Sequence, residues 1–192
     1  MSFPKPIATT RSATGIPTGR LAIWWVLASE VVIFGGLLGS YVMHRLGHPE
    51  WADAAVHTNT WIGAFNTFVL LTSSLTAVLA HEAAHDGDGK QAAKYLMMTI
   101  GGALTFLLVK SVEWGIEISH GYTITANGFW AFYYTAAGLH AAHVIAGAVI
   151  MAFIARDAWR GRELQRVELI GIYWHFVDVV WIFLFPLLYI AK

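Results

Sequence analysis

The sequence contains no cysteine, and only 12% of its 192 residues are charged. The lack of cysteine excludes disulfides, thiolate metal sites and thiol catalysis. Because 12 basic residues balance 12 acidic ones and no strongly basic stretch occurs, nucleic acid is not expected as a partner. Proline is scarce as well, with five residues, and only Pro186 falls within a long apolar segment. These absences leave the apolar segments as the main source of information.

Apolar residues dominate: 57% of the chain is hydrophobic and its mean hydropathy is +0.56, which does not suit a soluble domain. A membrane-spanning helix needs roughly 20 mainly apolar residues. The segments that qualify are 21–43, 59–80, 93–115, 128–155 and 169–190. The first is too long for the core of a signal peptide, so we expect it to be retained. Short polar connections predict that consecutive helices are antiparallel neighbours.

The predicted fold is therefore all-α: a polytopic membrane bundle of five transmembrane helices over residues 21–192, preceded by an extended arm over residues 1–20. Basic residues set its orientation, because they are enriched in cytoplasmic segments. With the N-terminus inside, the inner segments hold Lys5, Arg11, Arg20, Lys90, Lys94, Arg156, Arg160, Arg162 and Arg166. The outer segments hold only Arg45 and Lys192. This bias predicts a cytoplasmic N-terminus. Indoles expected near the span ends are Trp24, Trp25, Trp61, Trp130 and Trp159.

Ionisable residues within the spans are functional candidates by default, since lipid offers them no hydrogen bonds. Glu30 has no ionic partner at helical spacing on its own helix. It is either a neutral acid bonded to a neighbouring helix or a proton- or lipid-facing site, and both interpretations stay open. Glu113 lies three residues after Lys110, which favours a structural ion pair near the outer interface.

His140 and His143 lie three residues apart, on the same side of the helix as the small residues Ala136 and Gly147. A packed, hydrogen-bonded patch is favoured over metal or haem ligation. At about 1.5 Å per residue, His175 sits roughly 10 Å from His143 along the membrane normal, too far to complete a ligand set.

His175 and Asp178 are also three residues apart and can hydrogen-bond locally. The stripe formed by Trp174, Asp178, Trp181 and Phe185 is expected to face protein rather than lipid, because it combines indoles with a carboxylate. We predict no catalytic residue and no metal site in this chain.

Five stretches, taken in order, carry a resemblance to a known family: "LASEVVIFGG", "FNTFVLLTSSLTAVLAH", "TIGGALTFLLVKSVEW", "FYYTAAGLHAAHVIAG" and "YWHFVDVVWIFLF". Together they resemble subunit III of the haem–copper respiratory oxidases, in its short five-helix bacterial form. One departure is the pair of alanines at 137 and 141, where the family usually places a glycine beside the first histidine.

The resemblance implies a subunit without redox cofactors, beside a catalytic subunit I that carries haems and copper. Subunit II, other small subunits and membrane phospholipids are further partners that it implies. It also implies a V-shaped helix arrangement with phospholipid in the cleft, support of proton uptake, and location in a bacterial plasma membrane. Glu30 matches the family's buried glutamate near the cleft. Its other intramembrane polar positions correspond to Glu113, His140, His143, His175 and Asp178. The candidates for lipid headgroups are Arg156, Arg160 and Arg162.

Two alternatives stay open beside an accessory subunit of a proton-pumping terminal oxidase. One is an accessory subunit of a quinol oxidase or nitric oxide reductase complex. The other is a small proton-coupled transporter that uses Glu30 and Asp178, against which stands the lack of a visible internal repeat.

Overall fold

The computed structural model describes residues 17–191, and five of its helices are long and apolar enough to cross a membrane. The long helices are α1 (Thr18–Gly47), α3 (Thr60–His85), α4 (Gly89–Ser119), α5 (Gly128–Trp159) and α6 (Gln165–Phe185). A short helix, α2 (Trp51–Ala55), and a last turn of π-helix (Pro186–Ile190) were not anticipated. The five predicted spans are confirmed, whereas the predicted arm lies mostly outside the described residues. Following the predicted orientation, we use "inner" for the end of the bundle that holds residue 18.

The helices extend beyond the apolar segments because capping residues set their ends. Asn59, Asp88 and Asn127 each accept hydrogen bonds from the first amides of the helix that follows. Gly87 and Gly121 adopt positive φ values of 82° and 86° just after α3 and α4, where a left-handed residue commonly ends a helix. Hydropathy alone therefore underestimates helix length at both membrane faces.

Helices α3, α4, α5 and α6 pack as a closed four-helix ring, each against the next and α6 against α3. Small residues allow close approach: a methyl group on Gly102 of α4 would lie 2.6 Å from Cβ of Ser73 on α3. Gly147 of α5 is similarly close to the rings of Trp174 and Tyr173 on α6, at 3.1 Å. The interior of this ring is where the intramembrane polar groups meet.

Helix α1 lies outside the ring against α6 and α5, so the expectation that it neighbours the next span is wrong. The reason is the connection that includes α2, which packs against α5 and carries the chain across the outer end of the bundle before α3 begins. The buried edge of α1 consists of Leu27, Phe34 and Tyr41, at a spacing of seven residues. A groove of about 510 Å³ opens between the inner half of α1 and the α5–α6 pair. The expected V-shaped arrangement itself stays a prediction.

The last turn is held by side chains from distant parts of the chain. Pro186 has no amide hydrogen, and the wide turn that follows leaves backbone carbonyls to be satisfied. The side-chain donors are Tyr41 to Leu187, Thr58 to Leu188, Thr60 to Tyr189 and Arg45 to Ala191, at 2.8 to 3.4 Å. These bonds tie the end of the last span to α1 and to the start of α3.

The tryptophans divide into two groups. Trp24, Trp25, Trp61 and Trp159 are exposed at helix ends, as expected for interfacial indoles. Trp130 also lies near a helix end, in the first turn of α5, but it is buried rather than exposed. It lies on the ring-facing side of α5 and stacks on Tyr122 with ring centroids 5.0 Å apart.

Candidate functional site within the helix bundle

Glu30 of α1 pairs with His143 of α5, with 3.0 Å between Oε2 and Nε2. The side chains are 17% and 18% exposed, respectively, and the ring of Phe34 lies edge-on to the imidazole at 5.2 Å. Sequence reasoning singled out both residues without pairing them, because their contact depends on which helices are neighbours. The pair joins α1 to the ring.

A second hydrogen bond of His143 shows which of its two ring nitrogens carries a hydrogen. His143 Nδ1 lies 2.8 Å from the carbonyl oxygen of Leu139, so Nδ1 carries a hydrogen that it donates to that oxygen. Nε2 then either accepts a hydrogen bond from a carboxylic acid or donates one to a carboxylate. In both cases one hydrogen bond joins the two side chains. The bond to a neighbouring helix agrees with one interpretation of Glu30, and its protonation state and role stay a prediction.

A second group of polar side chains, the outer cluster, lies inside the ring near its outer end and consists of Lys110, Glu113, Glu117, Tyr133 and Tyr189. Lys110 Nζ donates to Glu113 Oε2 at 3.0 Å and to the Tyr133 hydroxyl at 2.8 Å, and it also bonds the Tyr189 hydroxyl. The side chains of Lys110 and Glu113 are each 2% exposed. The predicted ion pair is confirmed, and it is enclosed by protein.

Glu117 extends the outer cluster towards the membrane surface. Its Oε1 accepts from the Tyr133 hydroxyl at 2.9 Å, and its Oε2 lies 3.4 Å from the Tyr134 hydroxyl. Glu113 and Glu117 both line a cavity of about 310 Å³. Sequence reasoning missed Glu117 because the stretch that follows Gly115 was assigned to a connection. The four-residue spacing from Glu113 was the available signal.

His140 does not share a patch with His143. Its imidazole is fully buried inside the ring, between Phe106 and Trp181, with ring centroids 5.4 and 5.0 Å away. Neither of its nitrogens has a hydrogen-bond partner among residues 17–191. Three residues correspond to about 300° of rotation along a helix. That rotation lets one imidazole face the ring interior while the other faces α1.

His175 and Asp178 do not bond to each other as expected. His175 Nδ1 instead bonds the Ser74 hydroxyl of α3 at 2.6 Å. Asp178 is buried at 4% exposure, and within the described part of the chain its oxygens have no hydrogen-bond partner. The same holds for the side-chain amide of Asn66, a residue that was not among the predicted sites. The prediction that the Asp178 stripe faces protein is confirmed, and that protein is the chain's own bundle.

The inner rim carries basic residues around the groove. Arg166 lines the groove, and Arg20 of α1 pairs with Glu168 of α6 at 2.7 Å. The three predicted headgroup candidates, Arg156, Arg160 and Arg162, are exposed and lie outside the groove lining. Their role stays a prediction. Among residues 17–191 no group of three or more His, Asp or Glu side chains is placed to hold a metal ion.

The fold and these contacts define a polytopic helical membrane protein whose ionisable side chains join its helices. Comparison with known proteins identifies the family. The model of the cytochrome c oxidase subunit III family matches residues 9–192. The chain therefore belongs to the cytochrome c oxidase subunit III family, as its motifs predicted.

Individual relatives agree with this assignment. Cytochrome c oxidase subunit 3 of Corynebacterium diphtheriae is 30% identical over 199 residues, which span 100% of this chain and 96% of the relative. The subunit of the same name from Bacillus sp. strain PS3 is 30% identical over 96% of this chain and 92% of the relative. A heme-copper oxidase subunit I+III of Aeropyrum pernix is also 30% identical, over 90% of this chain and 22% of that longer protein.

Proposed function

We propose that this chain stabilises the catalytic subunit of a proton-pumping haem–copper terminal oxidase, holds phospholipid beside it and supports its proton uptake. The observation that carries the proposal is the family match along nearly the whole chain. The name of the Aeropyrum relative, heme-copper oxidase subunit I+III, describes one polypeptide that unites both subunits. That fusion favours subunit I as the neighbour of this chain. Haems and copper belong to the partner subunits in this proposal.

The groove beside α1 supports the lipid part of the proposal. Its walls include the apolar side chains of Ile23, Val26, Ile150 and Ile170, which suit an acyl chain. Arg166 stands at its inner end, where an anionic headgroup would lie. Arg166 itself is placed by Asp157 and Glu163, at 3.6 and 3.3 Å. We therefore favour Arg166, rather than the three arginines selected from the sequence, as the main headgroup contact.

Titratable groups at the inner surface support the part that concerns proton uptake. His81, Glu82, His85, Asp86 and Asp88 are all exposed around the end of α3 and the start of α4. Imidazoles and carboxylates at a membrane surface exchange protons with water and can raise their local supply. In this proposal they deliver protons to the catalytic subunit and take no part in oxygen chemistry.

Co-purification tests the proposal. The chain, tagged at its N-terminus, is extracted in mild detergent, and the visible spectrum and subunit pattern of the product are recorded. We expect haem bands and a larger haem- and copper-bearing subunit. Oxygen consumption with cytochrome c or with quinol then identifies the electron donor, and nitric oxide reduction would instead assign the complex to the nitric oxide reductases. A colourless, monodisperse chain without partners would contradict the proposal and favour the transporter alternative.

The lipid contact has its own test. We expect Arg166→Ala to reduce the phospholipid that co-purifies with the complex, measured by native mass spectrometry. Arg160→Ala is the matched control, because Arg160 is exposed at the same end of the bundle but lies outside the groove lining. Equal lipid retention by the two variants would contradict the assignment of Arg166.

A further inference from the structure

The outer cluster contains more negative than positive charge. Within residues 17–191 Lys110 is the one cation of the cluster, it bonds only Glu113 of the two carboxylates, and the remaining members are tyrosines. With Glu113 and Glu117 both ionised, the cluster would hold a net charge of −1 at 2% and 5% exposure. An unbalanced charge in such a site is costly, and a proton is the simplest means of balancing it.

The hydroxyl of Tyr133 gives a second reason to place a proton there. It lies 2.8 Å from Lys110 Nζ, which can only donate, so the hydroxyl oxygen accepts that bond. It also lies 3.2 Å from Glu113 Oε1 and 2.9 Å from Glu117 Oε1. A hydroxyl has one hydrogen to donate, so it can satisfy only one ionised carboxylate. The other carboxyl group bonds the same oxygen only if it carries a proton.

The titratable groups around the two carboxyl groups come from several elements besides α4. Helix α5 contributes Tyr133 and Tyr134, the last turn contributes Tyr189, and the two outer connections contribute His57 and His120. Both histidines line the cavity, together with the two carboxylates. The cavity, of about 310 Å³, thus joins the buried carboxyl groups to the outer surface. Asp178, in contrast, lies in the middle of α6 and does not line this cavity.

We propose that the outer cluster is a proton-binding site, in which Glu113 and Glu117 share one proton that exchanges with water on the outer side through this cavity. The bound proton leaves the site neutral, with one carboxylate paired to Lys110 and one carboxylic acid bonded to Tyr133. When the proton leaves through the cavity, past His57 and His120, the outer cluster has a net charge of −1. The site is a proton reservoir on the side of the membrane opposite to the titratable surface around residues 81–88.

Infrared spectroscopy of the intact complex in lipid nanodiscs tests this proposal through the carbonyl stretch of protonated carboxyl groups. We expect Glu117→Gln and Glu113→Gln each to remove one and the same carboxylic-acid contribution, because either change leaves a single carboxylate for Lys110. Lys110→Met is expected to increase the signal, since both carboxyl groups then become acids. If that variant does not fold, the two glutamine variants decide the question alone. Glu50→Gln, an exposed outer carboxylate, is the control and leaves the signal unchanged.

Hydrogen–deuterium exchange in deuterium oxide tests whether the cavity connects the carboxyl groups to water on the outer side. We expect the band assigned to the outer cluster to shift faster than any acid band that Asp178→Asn removes. A carboxylic-acid spectrum that is the same as that of the wild type in both glutamine variants would overturn the proton assignment. If the wild-type spectrum lacks the carboxylic-acid signal but changes when sodium or potassium is added, the ion that balances the cluster is a metal cation and not a proton. Exchange no faster than that of Asp178 would overturn the path. The spectra do not require turnover, so these failures leave the proposed function untouched.

Discussion

The outer cluster and the Glu30–His143 pair are two solutions to the same problem, an ionisable group inside a membrane. The outer cluster is enclosed by the ring, and five side chains from α4, α5 and the last turn share its charges. The Glu30–His143 pair is one contact at the edge of the ring, on a helix whose other residues are largely exposed. The comparison suggests that the cluster stabilises the ring as a whole, whereas the pair positions one helix.

The largest effect is expected when the outer cluster loses its cation. Lys110→Met removes the cation of a buried network and leaves its carboxyl groups without a charged partner, a change that typically costs about 3–5 kcal/mol. We expect a loss of this size in the free energy of unfolding, measured in mixed detergent micelles by the loss of helical signal. Lys94→Met, on the exposed inner part of the same helix, is the control. A loss no larger than that of the control would show that the outer cluster does not stabilise the ring as a whole.

A smaller and more local effect is expected at the Glu30–His143 pair. Polar contacts between helices in membranes contribute about 0.6–2 kcal/mol. In a double-mutant cycle of Glu30→Gln and His143→Ala we expect a coupling free energy in this range. We also expect faster labelling of a single cysteine placed at Phe34, because α1 separates from the ring more often.

The absence of native cysteine makes that labelling specific. The same cysteine in a chain with Lys94→Met provides the reference rate. If breaking the pair lowers the free energy of unfolding as much as Lys110→Met does, then α1 is an integral part of the ring. That result would contradict the view that the pair only positions one helix.

The smallest effect is expected at an exposed pair on the outer surface. Hydrogen bonds from its own backbone amide and from His48 lower the pKa of Glu50. A lowered pKa stabilises the folded protein above the ordinary pKa of the group, and that contribution is lost as the pH falls through the lowered value. Because water and salt screen this pair, we expect Glu50→Gln to leave the unfolding free energy unchanged at neutral pH. A clear loss at neutral pH would show that exposure is a poor guide to the importance of these pairs.

The sequence predicted what depends on periodicity within one helix. The spacing of Lys110 and Glu113 predicted their ion pair, and the stripe around Asp178 predicted a surface that faces protein. Contacts between helices were beyond this reasoning: Glu30 and His143 were both selected, yet their pairing requires α1 to lie beside α5. Glu117 was missed because helix α4 continues past the apolar segment to the residue before His120. Arg166 was counted only for orientation, since the groove beside it is formed by three helices.

The last turn has a consequence for how the protein is made. Tyr189 is the outer-cluster member farthest along the chain. It bonds Lys110 from a turn whose carbonyls are bonded to Tyr41, Thr58, Thr60 and Arg45. Synthesis runs from the N-terminus, so the first four spans have been made before Tyr189 is added. Until then, Lys110 stands in a nascent bundle that lacks one of its partners. The order of synthesis thus makes the final turn the last part of this buried polar network to be added.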